Sequence, residues 1–364
     1  MNGKVKYHFL FLFASSIIVI TIFVFIGAVI LRVIRAADEV FVVSPDLLTN
    51  EECLLAGASG SEFCFLNITD AVNIAEAFAG KETIYVLPGI YEENIVIESE
   101  NSIDLIGVEG YGSTIINGND QVAIDIYAQD VTITGFTIQN SSEDVPALNL
   151  SPLENLEEDV EFEDMQIIIS ANIIVNDAGD SFVMSDEFCE DCIERLSVDS
   201  NIIKVADGSY GILATKIYNA QILNNLFEIY DTGEGSKGLE VSKSNNINIF
   251  GNTFSGFNNN EEEVKAFGIL LKVEETAVSE ITINSNRFTS INGEYSYSII
   301  LEDNSDEHNH IGISIINNTF ENDVDSYLVG FNSSLETPVL EVDLSSNFFI
   351  DSSTAQSIED KINH

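Results

Sequence analysis

Basic residues are scarce in this sequence: 14 Lys and Arg stand against 60 Asp and Glu, a formal net charge of −46 at pH 7. A nucleic-acid partner is excluded on that ground, because binding to phosphates is driven by Lys and Arg. Tryptophan is absent, and there are only five Pro, four Cys and three Met. Polarity is not what the chain lacks elsewhere. Hydrophobic residues make up 45% of it, too many for a disordered acidic tail and enough for a large core. The visible excess of Asn, Ile, Ser and Gly leans toward strands and turns over helices.

Charge is missing altogether from residues 9–31, a 23-residue apolar run. At about 1.5 Å per residue it would span roughly 34 Å of helix, enough to cross a bilayer core of about 30 Å. A cleaved signal peptide is the rival reading, with Lys4 and Lys6 as the basic start and Ala36-Ala37 as small residues. The run exceeds the usual apolar stretch of about 7–15 residues, and Arg35 sits poorly before a cleavage point, so an uncleaved anchor is expected. Lys4 and Lys6 lie on one side of the run and Arg32 and Arg35 on the other, so charge alone does not orient it. The cysteines and sequons below place the N-terminus inside and the bulk outside. Residues 1–37 hold those four basic residues and no acidic ones, so the remainder carries 10 basic and 60 acidic residues, a net of 10 − 60 = −50. Only two arginines, Arg195 and Arg287, remain there.

A repeat organises everything that follows. The pattern I-x-I-x-x-N-x-F recurs as IIISANII, LSVDSNII, AQILNNLF, INIFGNTF, ITINSNRF, ISIINNTF and VDLSSNFF, placing Asn172, Asn201, Asn225, Asn252, Asn286, Asn318 and Asn347 in register. Two earlier copies, IDLIGVEG and VTITGFTI, carry Val108 and Phe136 in place of the Asn. Second short apolar segments lie between copies, as in AIDI, ALNL, GILA, GLEV, GILL and SIIL. Period-two alternation inside each segment predicts strands, and a repeat near 29 residues with two or three strands predicts one coil of a solenoid. Stacked coils set each strand parallel to its copy at about 4.8 Å, with the apolar positions lining the interior. The motif Asn is expected at a tight bend, in a left-handed conformation, hydrogen-bonded to the Asn of the next coil, as a structural ladder.

The segment VFVVSP (40–45), then Cys53 and Cys64, then LNITDAVNIAEAFAGKETIYVLPGIYEENIVIESENSIDLIGVEG (66–110) resembles the opening of right-handed parallel β-helix proteins of the pectin-lyase-like superfamily. The resemblance implies an amphipathic helix over the N-terminal end of the solenoid, its apolar face made here by Ala71, Val72, Ile74, Ala75 and Phe78. It also implies a turn of the form V-x-P-G-x-Y-x-E, matched by Val86, Pro88, Gly89, Tyr91 and Glu92. Such a cap keeps an open strand edge from pairing with other chains. The expected fold is all-β: a right-handed, single-stranded parallel β-helix of about ten coils. Residues 1–8 form a cytoplasmic start, 9–31 the anchor and 32–39 a linker. The β-helix occupies 40–352, with its cap at 40–80 and its coils at 82–350, and 353–364 closes it.

The superfamily includes pectate lyases, polygalacturonases, pectin methylesterases and surface proteins without activity, so the resemblance leaves function open. A lyase of this kind implies a basic residue to abstract a proton, with Ca²⁺ or Arg neutralising a uronate carboxylate. Candidates here are Arg195, Arg287, Lys216, Lys243 and Lys272; Lys216 and Lys243 occupy the same place in adjacent repeats, with Lys272 one place earlier in the next. The paired-Asp and Gly-His-Asp signatures of the polygalacturonases are missing, as is the esterase pattern of Gln-Asp followed by Asp and Arg. A glycosidase needs two carboxylates about 5–10 Å apart, and Asp125 and Glu240 lie several repeats apart. A surface at −50 repels a polyuronate unless divalent cations bridge the two.

Acidic loops are the sharper feature. ENLEEDVEFED (154–164) and the stretch after residue 302 offer hard oxygen ligands suited to Ca²⁺, with Asp159, Glu161, Glu163, Asp164, Asp303 and Asp306 as candidates. His308 and His310 beside Asp306 are more simply exposed loop residues than a transition-metal pair. Two local disulfides, Cys53 with Cys64 and Cys189 with Cys192, suit an exported domain. Sequons at Asn67, Asn140, Asn149, Asn317 and Asn332 would permit glycosylation.

The sequence therefore reads as a membrane-anchored cell-surface protein without catalysis, structural or adhesive, contacting glycans or neighbouring subunits through an acidic cation-binding face. A polysaccharide lyase or glycoside hydrolase is the alternative, and it requires a groove that gathers carboxylates with one of the five basic candidates. Self-assembly is a third reading, with Leu213, Leu270 and Ile300 as an exposed apolar contact patch.

Overall fold

A computed structural model describes residues 39–349, apart from 47, 79, 99–101, 129, 152–165, 186–194, 230–234, 258–264, 274–277, 292–295, 304–311, 322–326 and 334–341, together with 362–363. Its strands form three sheets, all of whose pairings are parallel. Sheet A has 12 strands, running from the cap strands Cys64–Phe65 and Val40–Val43 through Lys81–Val86 to Val342–Asp343. Sheets B and C have ten each, from Gly89–Tyr91 to Phe348–Phe349 and from Ile95–Ile97 to Ile362–Asn363. The chain visits A, B and C in turn, so each strand pairs with its copy one coil away.

Alternation explains the core. Lys81–Val86 buries every second residue, and so do most strands that follow. Parallel in-register pairing then stacks like on like: Ile84, Leu105, Ile133, Ile169, Val198, Ile222, Ile249, Ile283 and Ile315 form one continuous inner row of sheet A. In sheet B the row switches from Ile203 to Phe227, Phe254, Phe288 and Phe320. Those rings stack at centroid distances of 4.5, 5.1 and 5.0 Å with interplanar angles of 12°, 9° and 8°. Each fully buried side chain of this size stabilises by about 2 kcal/mol, an upper estimate because the unfolded chain is not fully extended.

The asparagine ladder runs unbroken from Asn172 to Asn347. Each Asn accepts, through its Oδ1, the backbone N–H and the side-chain N–H of the Asn one coil earlier, at 2.8–3.2 Å. Phe136, which lacks the side chain, still donates its N–H to Asn172 Oδ1 at 2.9 Å. The expected left-handed conformation is displaced by one residue. It falls on Ala171, Ser200, Asn224, Gly251, Ser285, Asn317 and Ser346, each immediately before a ladder Asn. That preceding residue makes the sharp bend, which turns the Asn side chain inward, where its amide replaces backbone partners lost at the corner.

The N-terminal cap contains two helices, α1 (Asn50–Leu55) and α2 (Ile68–Ala75). Helix α2 buries Ile68, Ala71, Val72 and Ala75, the i, i+3, i+4, i+7 set. Ile74, expected on that face, is 44% exposed because it stands about 100° round the helix from Ala75. Glu93 caps α2 from the first coil, accepting from Ile68 N, Thr69 N and Thr69 Oγ1 at 2.7–2.9 Å. Tyr91 of the V-x-P-G-x-Y turn is buried and donates its hydroxyl to Leu87 O at 2.9 Å. Cys53 and Cys64 form a disulfide that ties α1 to the edge strand of sheet A.

Among the described residues no helix is long and apolar enough to cross a membrane, and residues 9–31 lie outside them. Cys189 and Cys192 also lie outside, as do Asp159, Glu161, Glu163, Asp164, Asp306, His308 and His310.

Candidate functional site

Sheet C carries the site. Its glycine row, Gly211, Gly238 and Gly268, lies against the inner phenylalanines, and a Cβ there would meet Phe227 at 3.1 Å, Phe254 at 2.9 Å and Phe288 at 2.9 Å. The next coil's backbone also presses on each glycine. These positions therefore have no space for a side chain. The residues just before them form an outward row, Tyr210, Lys237, Phe267 and Tyr297, in parallel register.

Two further outward rows run beside it. Leu213, Glu240, Leu270 and Ile300 make one; Thr215, Ser242, Lys272 and Glu302 make the other. Phe267, Leu270, Tyr297 and Ile300 pack into a second apolar cluster outside the coil interior, with Tyr210 against it. Leu270 and Ile300, expected as an exposed contact patch, are thus buried at 4% and 2% exposure. Their side chains point out of the coil and pack with neighbouring aromatic rings, while Leu213, the third residue of that expected patch, is half-buried.

A groove of about 300 Å³ opens at the edge of this cluster, over the strands Tyr210–Thr215, Lys237–Ser242, Ala266–Val273 and Ser296–Asp303. Tyr210, Phe267 and Leu270 give it an apolar floor and wall, Lys237, Lys265 and Lys272 its positive charge, and Glu240 and Glu302 its negative charge. Lys237 Nζ stands 4.4 Å from the centre of the Tyr210 ring and donates to Gly208 O at 3.4 Å. Glu240 is buried, 3.9 Å from Lys272 Nζ, and is hydrogen-bonded by the Tyr210 hydroxyl. Asp180, one coil earlier in the outward row, accepts from Tyr210 N at 2.9 Å.

Burial and the surrounding charges tune both groups. Burial, then the fields of Glu240, Asp180 and Glu302 and the hydrogen bond to Glu240, push the Tyr210 phenol far above its ordinary value, so it keeps its proton at neutral pH. Burial pulls the Lys237 ammonium below its ordinary value of 10.5, and nearby Lys272 adds to this against the opposing fields of Glu240 and Asp180.

Of the five basic candidates from the sequence, only Lys272 reaches the groove, where it meets Glu240, one of the two carboxylates weighed for a glycosidase. Lys216 and Lys243 stand at the bend that leaves sheet C, both left-handed at φ 56° and 51°. Arg195 is exposed just before Leu196, at the start of a sheet A strand. Arg287 lies on sheet B, paired with Glu321 at 2.6 Å. Asp125 lies four coils from Glu240 in the same outward row, holding Tyr127 and Asn149 at 2.9 and 2.8 Å. Asp303 closes the strand that carries Glu302. Among the described residues no three His, Cys, Asp or Glu side chains gather as a metal-binding set.

The sequons fall unevenly. Asn317 is exposed; Asn67 caps α2 by accepting from Asp70 N; Asn149 is half-buried. Asn140 is 3% exposed and donates its amide to Val145 O and Pro146 O, so a glycan there would break a buried hydrogen-bonded turn. Asn332 pairs with Glu302 in sheet C. Sequence reasoning missed Tyr210, Lys237, Lys265 and Phe267. The usable signal is that four of the ten basic residues after position 37, Lys237, Lys243, Lys265 and Lys272, fall in one 36-residue window, and three of them line the groove.

Comparison with solved structures finds similar chains of low sequence identity. A pectin methylesterase from Aspergillus niger in deglycosylated form is 11% identical over 90% of this chain and 97% of its own, with a TM-score of 0.31. PfbA, a surface adhesin of Streptococcus pneumoniae, is 13% identical over 75% and 91%, at 0.32. Carrot pectin methylesterase is 12% identical over 86% and 88%, at 0.21. What decides the architecture is the chain's own three sheets, parallel throughout and visited in turn. The chain is a parallel β-helix. No protein-family model and no curated protein matches the sequence of this β-helix.

Proposed function

We propose that this β-helix is a non-catalytic surface protein, structural or adhesive, that binds an acidic sugar in the groove of sheet C. The observation that carries the reading is the groove's charge. In a chain at −46, three lysines converge with only two carboxylates beside aromatic rings. Aromatic faces suit the apolar side of a pyranose, and ammonium groups suit its carboxylate or sulfate. Glu240 is engaged by Lys272 and Tyr210, which fixes the polar wall. Residues 9–31 would hold the protein at the membrane, and the acidic stretch 154–164 would take Ca²⁺; the support for these is apolar length and carboxylate density.

A polysaccharide lyase or glycoside hydrolase is the second reading, favoured by one observation. Lys237, with its ammonium destabilised by burial, stands beside a protonated Tyr210, which is the pairing a proton abstraction needs. Calorimetric titration of the purified chain with acidic oligosaccharides, alongside an assay for new reducing ends and unsaturated products, separates the two. Binding without either product is expected. Cleavage that Lys237→Met abolishes would establish the second reading instead.

A further inference from the structure

We propose that the groove selects a glycan whose acidic unit stands alone, ending the chain or flanked by neutral sugars, and discriminates against polyuronates. This rests on the acidic-sugar reading and adds what lies on either side of the bound unit. Coils repeat at about 4.8 Å, so a polymer lying along the axis meets new side chains at nearly every sugar. One coil before Tyr210 the outward row presents Asp180, and further along the neighbouring row come Asn149 and Asp125. One coil after Lys272 its row presents Glu302. The lysines thus occupy a short window in which Glu240 is already held by Lys272 and Tyr210, with Asp180 before it and Glu302 at its far edge, and the apolar cluster of Phe267, Leu270, Tyr297 and Ile300 walls the C-terminal side. A volume of about 300 Å³ is at the small end for ligand pockets and matches one sugar ring. A second uronate on either side would be brought against a carboxylate in a site where charges are only partly screened.

The test titrates the full chain, kept in detergent micelles, with galacturonic acid, a disaccharide bearing one uronate, trigalacturonate, galactose and inorganic phosphate. The two single-acid sugars are expected to bind equally within about threefold, and trigalacturonate at least about tenfold more weakly per molecule. Lys265→Met, a half-exposed position outside the core, should cut binding of the single-acid sugars about tenfold while leaving the thermal transition in place. Trigalacturonate binding more tightly than the monomer would overturn this selectivity and leave the acidic-sugar reading standing. Galactose matching galacturonic acid, or no acidic sugar binding at all, would overturn both. Phosphate binding as tightly as galacturonic acid would also overturn the proposal, since the aromatic floor would then contribute nothing.

Discussion

Asn225 shows how much a single ladder residue holds. Its Oδ1 accepts Asn201 N and Nδ2, and its Nδ2 donates to Val198 O at 2.8 Å and to Asn252 Oδ1 at 3.0 Å. Asn225→Ala would leave a buried N–H and a buried carbonyl without partners, and each such group costs about 1–3 kcal/mol. The expected loss is about 3 kcal/mol in chemical denaturation. Asn219, exposed, left-handed at φ 55° and accepting from Asn246 Nδ2 at 2.6 Å, provides the contrast. Its replacement by Gly, which tolerates that conformation, should cost under about 1 kcal/mol, and equal losses at the two sites would show that the ladder is not special. Lys81 offers a pH test. Burial alone would lower its ammonium, yet the hydrogen bond to Asp130 and the fields of Asp104 and Asp130 outweigh this and raise it above 10.5. Its contribution is therefore complete below about pH 10.5 and is lost as pH rises through the higher folded value. Lys81→Met should cost on the order of 1 kcal/mol at neutral pH, and this penalty should shrink in alkaline denaturation curves.

At the scale of elements, the cap is where local chemistry and the solenoid meet. Glu93 of the first coil places both carboxylate oxygens on the N-terminus of α2, so Glu93→Ala should destabilise by about 1 kcal/mol. The Cys53–Cys64 bridge closes a loop with a sequence separation of 11. Reducing it should cost about 3 kcal/mol, seen as a lower midpoint in thermal unfolding with and without reductant; an unchanged midpoint would mean that the cap unfolds separately from the coils. The strands themselves were legible in the sequence, because period-two alternation and in-register Asn are one-dimensional patterns. Ile74 falls outside the buried face because that face is the full i, i+3, i+4, i+7 set that begins at Ile68. The left-handed position differs for a related reason: the repeat marks the residue with the conspicuous side chain, while the bend belongs to the one before it.

For the molecule as a whole, the sequence was informative about architecture and poor at the groove. Three parallel sheets follow from repetition, whereas Tyr210, Lys237 and Phe267 become neighbours only when coils 24 to 34 residues long are stacked in register. Leu270 and Ile300 looked like surface residues for the same reason, since alternation cannot tell whether an outward side chain is covered. A chain at −46 repels itself, so its thermal midpoint should rise by several degrees as salt screens that charge. The same salt should weaken acidic-sugar binding. A midpoint that falls instead would point to ion pairs, such as Lys81 with its two aspartates, as the larger electrostatic contribution.

The ladder bonds run along the rod, while the chain itself circles around it. Pulled by its two ends, such a molecule should behave like a wound cord and not like a bar. Each coil gives way in turn, releasing a segment whose extended length is about 80–115 Å, at about 3.4 Å for each of 24 to 34 residues. A single-molecule stretching trace would then show a series of similar steps. A protein at a surface under shear would yield length gradually, with the remaining coils still folded.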